Sequence, residues 1–153
     1  HLSIRRQRQM CIRDRFLEQS GKVFEDDPLV DSNGLINNPK FTGQLDLTYR
    51  VKEWRVRYGL NWVDNMSSYA YYEEDPATSA YKLAVPNYIT QDFSVQYTAD
   101  KWQATAGVRN FADKEPPTIS PGAGIYNTVG NAPLYSGYDY FGRTFFVNLS
   151  KKF

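Results

Sequence analysis

Apolar and polar residues alternate along five stretches of about ten residues each. The links between these stretches are by turns three residues and some two dozen residues long. The apolar parity ends in Tyr or Trp beside the short links. Together these observations predict an all-β chain. It reads as a fragment of an antiparallel up-and-down transmembrane β-barrel, about five strands of a larger closed structure.

The first strand is expected over 40–50 (KFTGQLDLTYR), with Phe41, Leu45, Leu47 and Tyr49 on one face and Thr42, Gln44, Asp46, Thr48 and Arg50 on the other. Val51, Lys52 and Glu53 link it to a second strand over 54–63. There Trp54, Val56, Tyr58, Leu60 and Trp62 alternate with Arg55, Arg57, Gly59 and Asn61. Two such runs about a tight link form a hairpin. An irregular stretch over 64–87 follows and holds Tyr69, Tyr71, Tyr72, Glu73, Glu74 and Asp75.

Alternation resumes over 88–98, where Ile89, Phe93, Val95 and Tyr97 oppose Thr90, Asp92, Ser94 and Gln96. Gln91 interrupts the apolar side once. Ala99, Asp100 and Lys101 make the next short turn, and 102–111 (WQATAGVRNF) sets Trp102, Ala104, Ala106 and Val108 against Gln103, Thr105, Gly107 and Arg109. A second long loop rich in Pro, Gly and Asn runs from 112 to about 137. In the last strand, GRTFFVNLSKKF, the residues Phe145, Val147, Leu149 and Phe153 share one parity. The unit repeats visibly: Tyr49 and Trp54 flank the first turn, and Tyr97 and Trp102 flank the second, 48 residues on.

Three features favour a membrane barrel over a soluble sheet, which alternates as well. Short periplasmic turns opposite long extracellular loops are usual in outer-membrane barrels. Trp and Tyr favour the membrane–water interface, which makes Tyr49, Trp54, Tyr97 and Trp102 one girdle and Trp62 part of the opposite rim. A strand of about ten residues is the length that a tilted crossing needs. If the C-terminus is periplasmic, both short turns are periplasmic and both long loops extracellular. The polar face, with Arg55, Arg57, Arg109, Asp46 and Asp92, then faces a wet lumen, where the arginines are expected to pair with Asp46 or Asp92.

The bulk numbers agree. Apolar residues are 41% of the 153, charged residues 23% and aromatic residues 16%, with 12 tyrosines. Mean hydropathy is −0.60, and no run approaches the ~18 apolar residues of a membrane helix. Transmembrane strands average out to polar, so that value does not argue against a membrane. The net charge of +1 hides an asymmetry, because 1–15 carries five arginines and one acid. The remainder has 13 basic and 16 acidic residues, which argues against a basic nucleic-acid surface. Cys11 and His1 both lie in that opening segment, so the rest of the chain can hold neither a disulfide nor a Cys/His zinc site. The stretch RQRQMCIRDR resembles a translated sequencing adapter, and 1–15 is expected to be non-native. Residues 16–39 are expected to be an extracellular loop or irregular, and 40–153 to be the strands.

Several motifs go further. GRTFFVNLSKKF resembles the last strand of TonB-dependent outer-membrane receptors: it has apolar residues at alternate positions (Phe145, Val147, Leu149) and the terminal aromatic Phe153, with Lys151 where an aromatic or apolar residue is common. GVRNFADKEPP (107–117) is similar to the family's penultimate-strand ending, with Ala112 where Phe is common. YSGYDYFGRTFF is similar to the approach to its final strand. The resemblance covers about 36–153. It implies a 22-strand barrel with an N-terminal plug, of which this chain is a part. It also implies uptake of a scarce nutrient energised by the TonB complex through the plug, with a ferric siderophore as the default cargo and a carbohydrate or cobalamin as the alternative. The implied partners are outer-membrane lipid, the β-barrel assembly machinery at the C-terminal strand, and a small-molecule ligand.

The candidate ligand contacts are the loop tyrosines Tyr69, Tyr71, Tyr72, Tyr126 and Tyr135, because aromatic rings stack with few rotatable bonds to freeze. The assembly signal is Phe145, Val147, Leu149 and Phe153. Glu73, Glu74 and Asp75 read as a solvated loop tip before a cation site. No cofactor and no metal are expected. No nucleophile elbow or phosphate loop is present, and this argues against catalysis. Another outer-membrane barrel, a porin or an adhesin, remains the competing reading.

Overall fold

The computed structural model describes residues 13–15, 20–21, 30–68, 79–121, 123 and 127–151, with side chains from 31 onward among these. The period-two stretches become the long strands. These are β4 (Phe41–Val51), β5 (Trp54–Val63), β8 (Tyr88–Thr98), β9 (Trp102–Arg109) and β12 (Thr144–Lys151). Short pairs fill the connections: β2 (Ser20–Gly21) with β3 (Val30–Asp31), β6 (Met66–Ser67) with β7 (Ala84–Val85), and β10 (Thr128–Val129) with β11 (Ala132–Pro133). β1 (Arg13–Arg15) adds a sixth strand to the main sheet. All described regular structure is β.

The main sheet runs in the order β1-β4-β5-β8-β9-β12, every neighbour antiparallel. From β4 onward this is a meander in chain order, the up-and-down arrangement that the alternating links predict. The sheet is open, with β1 and β12 at its edges.

Several boundaries differ from the sequence expectation; the first strand starts at Phe41 and the last at Thr144. Val51 pairs with Trp54, so the first link is the two residues Lys52 and Glu53. Lys52 takes the left-handed conformation (φ 53°) that so tight a reversal needs. β9 stops at Arg109, because Asn110 turns to φ 47° and leaves the ladder. Arg13–Arg15 pairs with Phe41, Thr42 and Gly43, which gives these three residues a place in the wall. The rest of 1–15 lies outside the described residues.

Side-chain parity follows the pairing. Leu47, Tyr49, Val51, Phe93, Phe145, Val147 and Leu149 all stand exposed on one face of the sheet. On the final strand Phe145, Val147 and Leu149 are 75%, 81% and 73% exposed, so no described protein covers them. In water such a continuous apolar face would be costly, at about 25 cal/mol per Å². Gln91 breaks this face without being stranded, since its Oε1 accepts the Tyr58 hydroxyl at 3.1 Å.

The buried core lies elsewhere. Ile36, Val63, Met66, Leu83, Val85, Tyr88, Ile119, Ala123 and Tyr138 form one cluster where the connections meet beyond one end of the sheet. Backbone bonds tie those connections together. Ile36 N–H donates to Ser67 O, Ser68 N–H to Leu83 O, and Ser120 N–H to Lys82 O. The long links therefore share a core of their own.

Candidate functional site

The turn end of the sheet carries an aromatic row. Trp54 lies directly across from Tyr97, their ring centroids 4.8 Å apart, and Tyr97 lies 5.3 Å from Trp102. Tyr49 is one strand further along, beside Val56. The row crosses β5, β8 and β9 at one level because the Tyr-to-Trp spacing repeats at both turns. Trp62 sits at the opposite end of β5, against Gly43. Trp54, Tyr97 and Trp102 are thus in ring contact, with Tyr49 one strand away.

The polar face collects the expected charges but pairs only some of them. Arg57 forms an ion pair with Asp46, its Nε donating to Asp46 Oδ1 at 2.8 Å, and the Gln44 amide donates to Asp46 Oδ2 at 3.0 Å. Arg55 does not reach a carboxylate; it donates to Gln96 Oε1 at 3.4 Å. Asp92 is held by a backbone group instead of an arginine, as its Oδ1 accepts the Asn110 N–H at 2.9 Å. Arg109 lies over the Phe146 ring, 5.7 Å from its centroid. The expectation of Arg–Asp pairing therefore holds for Arg57 alone among the described residues. The others differ because strand register sets Arg55 beside Gln96 and Thr144 beside Arg109.

Phe146 has the polar-face parity, and its register partner is Gly107. A side chain at Gly107 would collide with the Phe146 ring and would stand 2.7 Å from Ser94 Cβ. The ring lies over the bare glycine, which pins β12 against β9.

Among the described residues, two hollows open on this face. The smaller, about 70 Å³, lies between Arg57, Asp92, Arg109 and Phe146. The larger, about 460 Å³, lies where the strand ends meet the last connection, between Asn61, Thr90, Asp92, Arg109, Asp139 and Phe141. Phe141 is 93% exposed at its edge.

The motifs that carry the resemblance meet above this hollow. Buried Asn110 donates its side-chain amide to Lys114 O at 3.0 Å and accepts the Lys114 N–H at 2.8 Å. Asp113 Oδ1 accepts the Arg143 N–H at 2.8 Å, and Gly142, at φ 70°, brings the backbone close enough for this. The Tyr88 hydroxyl donates to Lys114 O at 3.0 Å, and its ring packs edge-on against Tyr138 at 5.0 Å. The ends of the long connection are thereby clipped together. Burial pushes the Tyr138 and Tyr140 hydroxyls above the ordinary tyrosine range. The Tyr140 hydroxyl donates to Pro133 O, whereas the Tyr138 hydroxyl has no partner among the described residues.

Of the proposed ligand tyrosines only Tyr135 is described; it is 73% exposed, at φ 62°. Tyr69, Tyr71, Tyr72 and Tyr126 lie outside the described residues, as do Glu73, Glu74, Asp75 and Phe153. Among the described residues no group of His, Cys, Asp and Glu is placed to hold a metal. Sequence reading missed Phe141 and Asp139; the only signal was their place in YSGYDYFGRTFF.

No helix among the described residues is long and apolar enough to cross a membrane, which says nothing of crossing by strands. Neither a curated protein nor a solved structure matches the chain. The sequence model of the TonB dependent receptor-like beta-barrel matches residues 13–111, from β1 to just past β9. An antiparallel meander with an uncovered apolar face, an aromatic row at its turns and that match over most of the chain carry one conclusion: the chain belongs to the TonB-dependent receptor-like β-barrel family.

Proposed function

We propose that this chain is wall and extracellular loops of a receptor for the energy-coupled uptake of a scarce nutrient across the outer membrane. The observation that carries the reading is the exposed, largely apolar face of the meander, edged by the Trp54–Tyr97–Trp102 row at its short turns. No described protein covers this face, and lipid offers it an apolar surrounding while leaving the opposite face wet. In this reading the short turns and the C-terminus are periplasmic, and the shared loop core is extracellular. The plug that would contact the TonB complex and fill the lumen is supplied by other parts of the receptor. The β-barrel assembly machinery reads Phe145, Val147, Leu149 and Phe153.

A ferric siderophore is the first cargo to test. Cells carrying the full receptor gene are grown with and without iron, and uptake of a radiolabelled ferric siderophore is followed with and without an uncoupler. The reading expects outer-membrane localisation, higher expression under iron starvation, and uptake that the uncoupler abolishes. Passage that ignores the uncoupler and depends only on solute size would make the protein a porin.

A further inference from the structure

The three connections that meet beyond the sheet are built unlike segments that open and close. Segments that swing to admit a ligand come from the least stable parts of a fold, with few buried apolar contacts and backbone groups left to water. Here the reverse holds. The connection before β4 gives Ile36, the one between β5 and β8 gives Met66, Leu83 and Val85, and the one between β9 and β12 gives Ile119, Ala123 and Tyr138, all buried in one cluster. Val63, the last residue of β5, and Tyr88, the first of β8, belong to the same cluster, so the core continues into the wall.

Each pair of connections is also bonded directly. Between the first and second, Leu35 bridges to Ser67, Ile36 N–H donates to Ser67 O at 2.9 Å, and Ser67 N–H donates to Gly34 O at 3.0 Å. The second and third bond both ways: Lys82 N–H donates to Ser120 Oγ at 2.6 Å, and Ser120 N–H donates to Lys82 O at 3.1 Å. Between the first and third, the buried Ser136 hydroxyl donates to Asn37 Oδ1 at 3.1 Å. Moving any one connection alone breaks two of these three seams and bares part of the cluster to water. We propose that the three connections form one fixed block at the mouth of the barrel, which keeps its shape while cargo enters, so that the parts that open for cargo lie elsewhere on the receptor. That this end is the entrance rests on the uptake reading; the rigidity of the block does not.

The test uses the full-length receptor and two readouts. In bilayers, hydrogen exchange is followed at the amides of Ile36, Ser67, Ser68 and Ser120, all of which donate within the block. They exchange at least about a hundredfold more slowly than open-loop amides. In cells, two double-cysteine variants lock the seams: Leu35→Cys with Ser67→Cys, and Lys82→Cys with Ser120→Cys. The bonded backbones stand close enough for a disulfide. Both disulfides form in air, and uptake of a radiolabelled ferric siderophore stays within about twofold of the unlocked receptor. Exchange at open-loop rates, failure of either disulfide to form, or a loss of uptake that reductant restores overturns the proposal. An unlocked receptor that takes up no siderophore counts against the cargo reading instead, and exchange together with disulfide formation then decides the block.

Discussion

At the residue scale, the pair Gly107 and Phe146 makes the sharpest claim. A Cβ at position 107 would press on the ring and lie 2.7 Å from Ser94 Cβ, which is fixed to the backbone of β8. Gly107→Ala should therefore destabilise the folded barrel by about 1–3 kcal/mol, the usual cost of overpacking. Adding Phe146→Ala should recover only part of the loss, because the clash with Ser94 remains. Urea unfolding of the receptor in micelles reads both, and a neutral Gly107→Ala would show that the ring does not sit over the glycine. Asn110 is the other decisive residue, since its side chain satisfies both backbone groups of Lys114 and its own N–H holds Asp92. Asn110→Ala should cost about 2 kcal/mol in the same assay, being a buried polar residue with several partners. The exposed Arg57–Asp46 pair is a weaker target, where roughly 1 kcal/mol is the upper expectation.

At the scale of elements, the wall and the loops behave as two kinds of structure. The wall was legible because each strand repeats its pattern locally; β5 and β8 match their expected ranges residue for residue. The loop core was not, because Ile36, Met66 with Leu83, and Ile119 with Tyr138 come from three different stretches outside the long strands and share no period. Their meeting is a long-range fact. The candidate site was half legible: Arg57 and Asp46 lie on one parity of a hairpin, so their pairing could be anticipated, while the seat of Arg109 depended on Phe146 across a long connection. Val85→Asp, at a position 1% exposed, should open the loop core and leave the wall intact. Protease should then cut within 64–87 while the barrel still resists SDS at room temperature. Loss of that resistance would show that the wall needs its loops.

The same loop core predicts a pH dependence. Tyr138 and Tyr140 stay protonated in the folded protein above the pH where they ionise when unfolded. A folded state that holds more protons loses stability as pH rises, so their contribution is complete below about pH 10 and declines above it. A difference titration at 295 nm, wild type against Tyr138→Phe, should show the missing tyrosine ionising later than an ordinary one. Ionisation near the ordinary value would mean that Tyr138 is open to water.

For the whole molecule, what lies against each face of the sheet separates a membrane wall from a soluble sheet. A soluble sheet would have its apolar face covered by protein and its polar face in bulk water. A wall of an outer-membrane barrel has lipid on the one and a wet lumen on the other. Strand β8 crosses the middle of the described sheet and carries both faces in alternation. The most direct test places a nitroxide in turn at each position from Ile89 to Gln96 of the receptor in bilayers. Collision rates with oxygen and with a water-soluble nickel chelate are then compared. Oxygen should dominate at Ile89, Phe93 and Val95, and nickel at Thr90, Asp92, Ser94 and Gln96, with a period of two. Apolar-face positions closed to both reagents would place protein where lipid should be, and would contradict the membrane wall.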